Sequence, residues 1–317
     1  MSSPRLAVIG GGPAGLATAM YAAMRGIPVV AFEAGAIGGQ LVNLYPSKPV
    51  TNFPAQTDIL SRDLARRLSD QARAFGADLR EWEPVEQVAP DEGGFALHTP
   101  VSQVVVPVVV LALGLGSFSP RRLGLTGEDR FVGRGLAYRL PPIEEIDARR
   151  IVVVGGGDTA LDTALSLQSV GHVTLIHRDE QFRAFAYSQR RLEEAGIDVI
   201  RQGEVVELRG DDSLGSIVVR VVGEGTRELP VDLLVVCIGQ VPDLSGLEDW
   251  KLEIRGPQVE VDSAMQTSRP GLLAVGDFAA YRGKVRMIAT AVAEGSTAAA
   301  TAERYLKAAT PAGPTAM

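Results

Sequence analysis

The chain has 317 residues, 46% of them hydrophobic and 22% charged, which is long enough for two packed domains of ordinary globular composition. Its formal net charge of −7 and the absence of any Lys/Arg run argue against a nucleic-acid partner. The longest apolar stretch, 104–116, contains Pro107 and is too short to cross a bilayer, so no membrane association is expected. One cysteine and no recognisable export signal predict a cytoplasmic protein, and the three scattered histidines predict no metal.

The first predicted unit begins with the apolar run 6–9, followed by the glycine motif 10–15, a helix-like segment and a second apolar run, 29–32. Strand, tight glycine turn, helix and strand in this order are typical of a dinucleotide-binding unit, whose pyrophosphate lies on the helix N-terminus. Glu33 follows the second run and can accept hydrogen bonds from both hydroxyls of a ribose, which suits FAD or NAD. The predicted binding residues are Gly10, Gly12, Pro13, Ala14, Gly15 and Glu33.

The next 80 residues predict irregular structure, one helix and a group of short strands. A Pro-rich segment contains Gln40 and Tyr45, and Leu60, Leu64 and Leu68 form an apolar stripe that predicts a helix over 58–75. Residues 80–110 alternate as short strands around the turn Gly93-Gly94, and 104–113 is predicted to close the first sheet.

A second glycine motif repeats the first one in register. The apolar run 151–154 precedes Gly155-Gly156-Gly157-Asp158-Thr159-Ala160, and a second apolar run leads to His177 and Arg178. Arg178, together with Arg183, would pair with a phosphate on the 2′ oxygen of a ribose, which suits NADP. The predicted binding residues here are Gly155, Gly157, Asp158, Thr159, Arg178 and Arg183.

The rest of the chain predicts a helix over 185–195, short strands to about 230, and a strand over 233–239 that contains Cys237. It then returns with Ala274-Val275-Gly276-Asp277 and a final Ala-rich helix over 289–308. The predicted fold class is therefore α/β, with two Rossmann-like dinucleotide-binding domains of the three-layer ββα type, the second inserted in a split first domain.

This order of motifs resembles the two-domain flavoprotein reductases of the thioredoxin reductase type, most closely their ferredoxin/flavodoxin–NADP reductase group. The residues that carry the resemblance are the two glycine motifs, 274–277, Gly38-Gly39-Gln40-Leu41, Tyr45-Pro46, Trp250, Tyr281-Arg282-Gly283-Lys284-Val285 and Glu294. The resemblance implies an FAD-binding domain at 1–115 and 241–317, and an NAD(P)-binding domain at 116–240. It also implies a homodimer.

The resemblance also implies roles for further residues. Tyr45 would stack on the isoalloxazine, Gln40 would lie along the flavin side, and Asp277 would hydrogen-bond the ribityl chain. Val85 matches a backbone position that meets adenine, and Phe118 matches another FAD-contacting position. No catalytic side chain is expected, because the flavin carries the chemistry.

Two departures from the family pattern limit the choice of chemistry and donor. The CxxC that thioredoxin reductases carry after the second motif is missing, since Asp158-Thr159-Ala160-Leu161-Asp162 occupies this place. Asp179 stands where relatives carry a second phosphate-binding arginine. We therefore expect NADPH to be favoured only modestly, with NADH as an alternative donor.

The expected function is an FAD-dependent oxidoreductase that takes hydride from NAD(P)H and passes electrons to ferredoxin or flavodoxin. Two alternatives stay open at this point: an NAD(P)H-dependent diaphorase that reduces quinones or other small oxidants, and a flavin-binding regulator without turnover. Docking of an acidic electron carrier would need a local basic patch, and we expect it in one of two places. The first set is Arg121, Arg122, Arg130, Arg134 and Arg139, and the second is Lys48, Arg282, Lys284 and Arg286.

Overall fold

The computed structural model describes residues 3–44, 46–56, 58–114, 117–141, 143–243, 250 and 252–309. The chain forms two compact units. Unit 1 comprises Met1–Phe118 and Pro242–Met317, and unit 2 comprises Ser119–Val241. Both contain a parallel sheet with helices, which confirms the predicted α/β class. No helix in the described part of the chain is long and apolar enough to span a membrane.

Unit 1 is built on a five-stranded parallel sheet with neighbouring strands in the order Leu272–Ala274, Val108–Leu111, Leu6–Ile9, Val29–Phe32 and Asp78–Arg80. Its central strands are apolar runs because both faces of such a sheet are buried. The helices of this unit are α1 (Pro13–Met24), α2 (Gln40–Asn43), α3 (Ser61–Ala74) and a long C-terminal helix, Ile288–Ala309. An antiparallel sheet of Gln87–Asp91, Gly94–His98 and Gln103–Val106 contributes Phe95 and Leu97 to the same core.

The prediction that 104–113 closes the first sheet is correct only for its second part. Pro107 separates two strands, Gln103–Val106 in the antiparallel sheet and Val108–Leu111 in the parallel sheet. Proline has no N–H for a ladder hydrogen bond, so the chain leaves one sheet there and enters the other.

The C-terminal helix packs against α1, the helix that follows the first glycine motif, at very short range. A Cβ on Gly295, in the C-terminal helix, would lie 2.6 Å from Ala14 O and 2.8 Å from Thr18 N of α1. Only glycine allows this approach, which brings the residues that precede the C-terminal helix close to the start of α1. Ala14 also lies 3.0 Å from the position of a Cβ on Gly276.

Unit 2 repeats the plan on a smaller scale. Its parallel sheet has the order Leu136–Ala137, Leu233–Val236, Arg150–Val154, His172–Ile176 and Asp198–Ile200. Its helices are α4 (Asp158–Leu167) and α5 (Ala186–Glu194), which makes the C-terminal helix of unit 1 α6. An antiparallel sheet of Gly203–Arg209, Ser216–Val221 and Gly225–Pro230 completes the unit.

The remaining elements are short. Five strands of two or three residues pair as Pro49–Val50 with Ile59–Leu60, and Gln258–Glu260 with both Ile254–Arg255 and Ala279–Ala280. Two linking strands, Ser117–Pro120 and Gln240–Asp243, pair with each other. The last pair consists of the two segments through which the chain passes between the units. Single 3-10 turns lie at Glu128–Phe131, Ile143–Glu145 and Gly276–Phe278.

Candidate functional site: two glycine turns and a buried acidic turn

Each unit carries a glycine turn between the central strand of its parallel sheet and the following helix. The first glycine of each turn is required by the protein itself. Gly10 has φ +109° and a Cβ there would lie 2.3 Å from Ala112 O. Gly155 has φ +152° and a Cβ there would lie 2.4 Å from Cys237 O. Backbone conformation and packing therefore both exclude a side chain at these two positions.

Gly12 and Gly157, the third glycines of the two turns, are different, because neither backbone conformation nor packing within the protein requires glycine there. Gly12 has φ −74° and ψ −177°, and Gly157 has φ −99° and ψ 174°, which are extended conformations open to any residue. A Cβ on Gly12 would meet no atom nearer than Gly39 Cα at 3.9 Å, and a Cβ on Gly157 would meet nothing within 4 Å. The space is left open directly before α1 and α4. A phosphate on a helix N-terminus needs this space, so both turns fit a dinucleotide.

The other residues of the turns fix the helices against the strands. A Cβ on Gly15 would lie 1.9 Å from Gly10 O, so Gly15 allows α1 to approach the strand. Pro13 is the first residue of α1, where its missing N–H costs no helical hydrogen bond. Ala160 takes the place of Gly15 in unit 2, and Thr159, beside it, is half-buried.

Asp158 has a partner inside unit 2. Its Oδ1 accepts hydrogen bonds from Phe185 N at 2.9 Å and from Ser188 Oγ at 3.2 Å. Phe185 is the residue before α5, so the carboxylate of Asp158, at the start of α4, holds the start of α5 in place. Sequence reasoning placed Asp158 only at the nucleotide and missed this contact, because it spans 27 residues.

Glu33 lies at the carboxyl end of Val29–Phe32, beside the first glycine turn. Its Oε2 accepts a hydrogen bond from Gly11 N at 2.7 Å, and its Oε1 accepts one from Gly35 N at 3.0 Å. Two backbone amides thus hold the carboxylate next to the start of α1, while each oxygen keeps acceptor capacity. This is the position from which an acid can bind the ribose of a dinucleotide.

The remaining predicted FAD contacts are described to different extents. Gln40 begins α2, and its Nε2 lies 3.4 Å from where a Cβ on Gly114 would be. The backbone N–H and C=O of Val85 take part in no hydrogen bond within the described part of the chain. Tyr45 and the side chain of Phe118 lie outside the described residues.

Asp277 lies in a tight turn between the strand Leu272–Ala274 and α6. Gly276, with φ +71°, makes this turn. Within the described residues the carboxylate of Asp277 accepts no hydrogen bond, although the residue is half-buried. Burial raises the pKa of Asp277, and the positive charges of Lys284 and Arg286 oppose this. A half-buried carboxylate without a donor fits a cofactor that supplies hydroxyl groups.

Behind this turn lies a buried polar cluster formed by Glu294, Tyr281 and Lys284. Glu294 Oε2 accepts a hydrogen bond from Gly276 N at 2.7 Å, and Oε1 accepts from Tyr281 Oη at 2.6 Å and from Lys284 Nζ. Lys284 Nζ also donates to Gly276 O at 2.8 Å. Burial and the Glu294 carboxylate together raise the pKa of the Tyr281 phenol well above its usual value. The cluster fixes Gly276 through both its N–H and its C=O.

The cluster corrects the expectation that Lys284 belongs to an exposed basic patch. Its side chain is 9% exposed and paired internally, whereas Arg282 and Arg286 are exposed. Glu294 is buried as well, at 4% exposure. An acid and a lysine ten residues apart give no periodic signal, so sequence reasoning alone did not pair them.

In unit 2, the predicted phosphate-binding arginines lie beyond the strand His172–Ile176. Arg178 is exposed, and its Nε lies 3.5 Å from Asp179 Oδ2. Arg183 is also exposed, and its backbone N donates to Gly156 O at 2.8 Å, which ties it to the second glycine turn. Arg178 and Asp179 line an open groove of about 480 Å³ together with Gln202, Glu204, Arg220, Val221, Val222, Gly223 and Gly225.

His177, between the strand and Arg178, is structural. Its ring is buried, stacks on Phe182 with centroids 5.1 Å apart, and its Nε2 lies 3.0 Å from Gln181 O. A Cβ on Gly156 would lie 2.0 Å from this ring, so the imidazole packs directly under the glycine turn.

Comparisons with known proteins agree with this geometry. The profile of the family described as "Pyridine nucleotide-disulphide oxidoreductase" matches residues 4–295. A protein named ferredoxin–NADP reductase from Streptococcus mutans is 34% identical over 307 residues, covering 95% of this chain and 91% of its own length. One of the same name from Salinispora tropica is 38% identical over 299 residues, covering 92% and 91%.

Among solved structures, thioredoxin reductase from Lactococcus lactis in its FR conformation is similar, with a TM-score of 0.87 and 27% identity, covering 96% of this chain and all of its own. The resemblance inferred from the sequence motifs is therefore confirmed. The chain belongs to the pyridine nucleotide-disulphide oxidoreductase family.

Proposed function

We propose that the chain is an FAD-dependent reductase that takes hydride from NAD(P)H and passes electrons to ferredoxin or flavodoxin. The observation that carries this proposal is the pair of glycine turns with free space at Gly12 and Gly157. The turns are followed by side chains of opposite charge, Glu33 in unit 1 and Arg178 in unit 2. An acid suits an unmodified ribose, as in FAD or NAD, and an arginine suits a 2′-phosphate, which supports FAD in unit 1 and NADP in unit 2.

Unit 1 provides the groups that an FAD would need. The backbone from Gly10 to Gly15 would bind the pyrophosphate, Glu33 the adenosine ribose, and Asp277 the ribityl hydroxyls. The backbone of Val85, which makes no hydrogen bond within the described residues, would meet the adenine. Gln40, Tyr45 and Phe118 would border the flavin.

FAD, when bound, would supply the whole redox step, by accepting hydride from NAD(P)H and releasing electrons one at a time. The protein binds and orients the cofactor and the nucleotide. Glu294 and Lys284 hold the turn that carries Asp277. The positive N-terminal end of the 22-residue helix α6 follows this turn, where it favours negative charge.

The cysteine inventory supports an external protein acceptor. The sequence contains one cysteine, so no intramolecular dithiol can relay electrons. Cys237 is half-buried, with its Sγ 3.8 Å from Thr163 Oγ1.

The relatives from Streptococcus mutans and Salinispora tropica are named for ferredoxin and NADP, which supports these two partners. Of the second predicted basic set, Arg282 and Arg286 are exposed and available for docking an acidic carrier, and the exposed arginines of the first set, Arg121, Arg122, Arg130, Arg134 and Arg139, are the alternative. Assembly as a homodimer and a cytoplasmic location complete the proposal.

The test is a sequence of three measurements on purified protein. We expect about one FAD per chain, bleaching of the flavin absorbance by anaerobic NADPH, and reoxidation by ferredoxin or flavodoxin. A folded protein that binds no added FAD would overturn the proposal. An FAD that NADPH does not bleach would identify a regulator, and reoxidation by menadione but by neither carrier would identify a diaphorase.

A further inference from the structure

Trp82 is the most exposed large aromatic residue in the described part of the chain. Its side chain is 71% exposed, and its backbone is left-handed, with φ +59°. Both features are unfavourable: water surrounds an indole that could bury a large apolar area, and a residue with a Cβ is strained in this conformation. Strain of this kind persists where the surrounding structure imposes it, and such positions cluster at ligand sites.

The backbone on both sides of Trp82 is firmly held. Trp82 N donates to Gly35 O at 3.1 Å, and Glu83 N donates to Glu33 O at 3.0 Å. The carboxylate of Glu83 is buried and accepts hydrogen bonds from Ser102 and Thr99. Burial raises the pKa of Glu83, but these hydrogen bonds and Arg80 outweigh it and lower the pKa overall. Glu83 is thus a fixed anchor, and the neighbouring indole is kept at the surface.

Trp82 is also connected, through Gly35, to Glu33, the acid proposed to bind the ribose. Gly35 donates its N–H to Glu33 Oε1 at 3.0 Å and accepts the N–H of Trp82 through its carbonyl. A single residue therefore links the carboxylate of Glu33 to the backbone of Trp82.

The sheet order shows where a bound base must lie. The strand Leu6–Ile9 leads to the glycine turn, its neighbour Val29–Phe32 leads to Glu33, and the next neighbour, Asp78–Arg80, leads to Trp82. Ligands of parallel α/β sheets bind outside the carboxyl ends of the strands. A dinucleotide with its pyrophosphate at the glycine turn and its ribose at Glu33 runs along this edge. Its base is then directed towards the end of Asp78–Arg80.

We propose that Trp82 binds the adenine of FAD by packing its indole against the base. The proposal rests on the assignment of FAD to unit 1. Purine rings stack on aromatic faces, and indole offers the largest face of any side chain. Contact with the base would remove the indole from water and account for the left-handed backbone that presents it.

The first test uses ADP, which carries the adenine, ribose and pyrophosphate but no flavin, so energy transfer to a flavin cannot obscure the signal. The sequence contains two tryptophans, Trp82 and Trp250, so Trp82→Phe leaves one reporter. We expect ADP to change the tryptophan fluorescence of wild-type apoprotein. The change should disappear in Trp82→Phe, and also in Glu33→Ala, which removes the ribose contact. An identical change in wild type and Trp82→Phe would overturn the proposal.

The second test separates binding from folding. Trp82→Gly removes the indole and also relieves the left-handed strain, because glycine adopts this conformation freely. We expect this variant to be at least as stable as wild type in urea, while its affinity for FAD falls by about ten- to one-hundred-fold. Trp82→Tyr, which keeps an aromatic face, should recover most of the affinity.

Phe75→Ala is the matched control, because Phe75 is also an exposed aromatic of unit 1, at 45% exposure, and lies at the end of α3. It should bind FAD as tightly as wild type. Unchanged FAD affinity in Trp82→Gly would overturn the role of Trp82 alone. Failure of the wild-type protein to bind FAD would instead overturn the proposed function.

Discussion

Lys284 and Glu294 form an ion pair whose side chains are 9% and 4% exposed, and each of them also hydrogen-bonds the backbone of Gly276. The pair therefore joins α6 to the turn that carries Asp277. Two charges removed from water are tolerated only because they neutralise each other and because their hydrogen bonds are satisfied. Loss of either partner leaves the other charge buried and alone.

We expect Lys284→Met to lower the free energy of unfolding by about 3–5 kcal/mol, since Glu294 would keep an unpaired buried charge. The variant should also bind FAD more weakly, because Gly276 loses a contact that fixes the turn. Lys307→Met is the control: Lys307 pairs with Glu303 on the surface at 75% exposure, and its loss should cost at most about 1 kcal/mol. Urea unfolding of both variants measures the difference, and equal small losses would contradict a structural role for the pair.

Asp277→Asn should have opposite effects on folding and on cofactor binding. Burial raises the pKa of Asp277 above its ordinary value of 3.8, so this carboxyl ionises less readily in the folded apoprotein than in the unfolded chain, and its ionisation costs stability at neutral pH. Asparagine removes this charge, and the apoprotein should melt at a higher temperature at pH 7, with the gain fading as the pH falls towards the ordinary value. FAD content should drop. A lower melting temperature of the apoprotein at pH 7 would show that the carboxylate has a stabilising partner.

Alanine at Gly12 and at Gly157 should each impair one nucleotide and leave the other unaffected. Both positions have extended backbone and space for a methyl group, so both variants should fold with wild-type stability. Gly12→Ala should weaken FAD binding, and Gly157→Ala should raise KM for NADPH in the FAD-loaded protein. Gly15→Ala serves as the contrast, because its methyl group would lie 1.9 Å from Gly10 O and should prevent correct folding. If Gly12→Ala kept full FAD affinity, the free space would have another purpose.

Nucleotide preference should respond to Asp179, which lies 3.5 Å from the guanidinium of Arg178. The acid competes with a 2′-phosphate for this arginine and repels the phosphate as well. Asp179→Arg should increase the ratio of kcat/KM for NADPH over NADH by about ten- to one-hundred-fold, chiefly through KM, as one charged hydrogen bond contributes roughly 1.5–3 kcal/mol. Arg178→Ala should abolish the preference.

The control for this series is Asp198→Asn, which removes another exposed aspartate of the same unit, one that lies 3.2 Å from His172 Nε2. It should leave the ratio unchanged. A strong preference of the wild-type enzyme for NADH would refute the assignment of Arg178 and Arg183 to a phosphate.

Unit 2 should lose stability in acid through Asp232. The side-chain hydrogen bond from Arg150, supported by the backbone N–H groups of Arg149 and Arg150, lowers the pKa of Asp232 from 3.8 to about 2. A depressed pKa stabilises the fold above the unfolded value, and the contribution disappears as the pH falls from 3.8 to about 2. Asp232→Asn should cost about 1 kcal/mol at pH 7, since Arg150 is half-exposed and screened, and clearly less at pH 2. Asp129→Asn, which breaks the pair of Arg122 with the highly exposed Asp129, should cost less at pH 7. Denaturant titrations at both pH values test this.

The parts of the fold that follow from local pattern were predictable from the sequence. Helices expected over 58–75, 185–195 and 289–308 are found at Ser61–Ala74, Ala186–Glu194 and Ile288–Ala309, because apolar periodicity and flanking breakers define helices locally. The glycine turns were predictable for the same reason, since their chemistry is contained within a few consecutive residues.

What the sequence did not reveal depends on contacts between distant residues. In the sequence, Lys284 resembles any surface lysine, and only the fold shows that it pairs with Glu294. Trp82 stands in a strand-like stretch of the sequence, where an aromatic residue is expected to be buried. The structure shows the opposite, since Trp82 is exposed and its neighbour Glu83 is buried. The break at Pro107 was readable, but the choice between one bent strand and two strands in different sheets depends on tertiary pairing.

The pairing of Ser117–Pro120 with Gln240–Asp243 has a consequence for protein engineering. Paired strands lie roughly 5 Å apart, so the chain leaves and re-enters unit 1 at adjacent points. Unit 2 can therefore be excised as a continuous 119–241 fragment, and the cut ends of unit 1 can be joined by a short Gly/Ser linker without stretching. Because the two junctions are adjacent, unit 2 can also be replaced by the corresponding segment of a homologue that prefers another nucleotide.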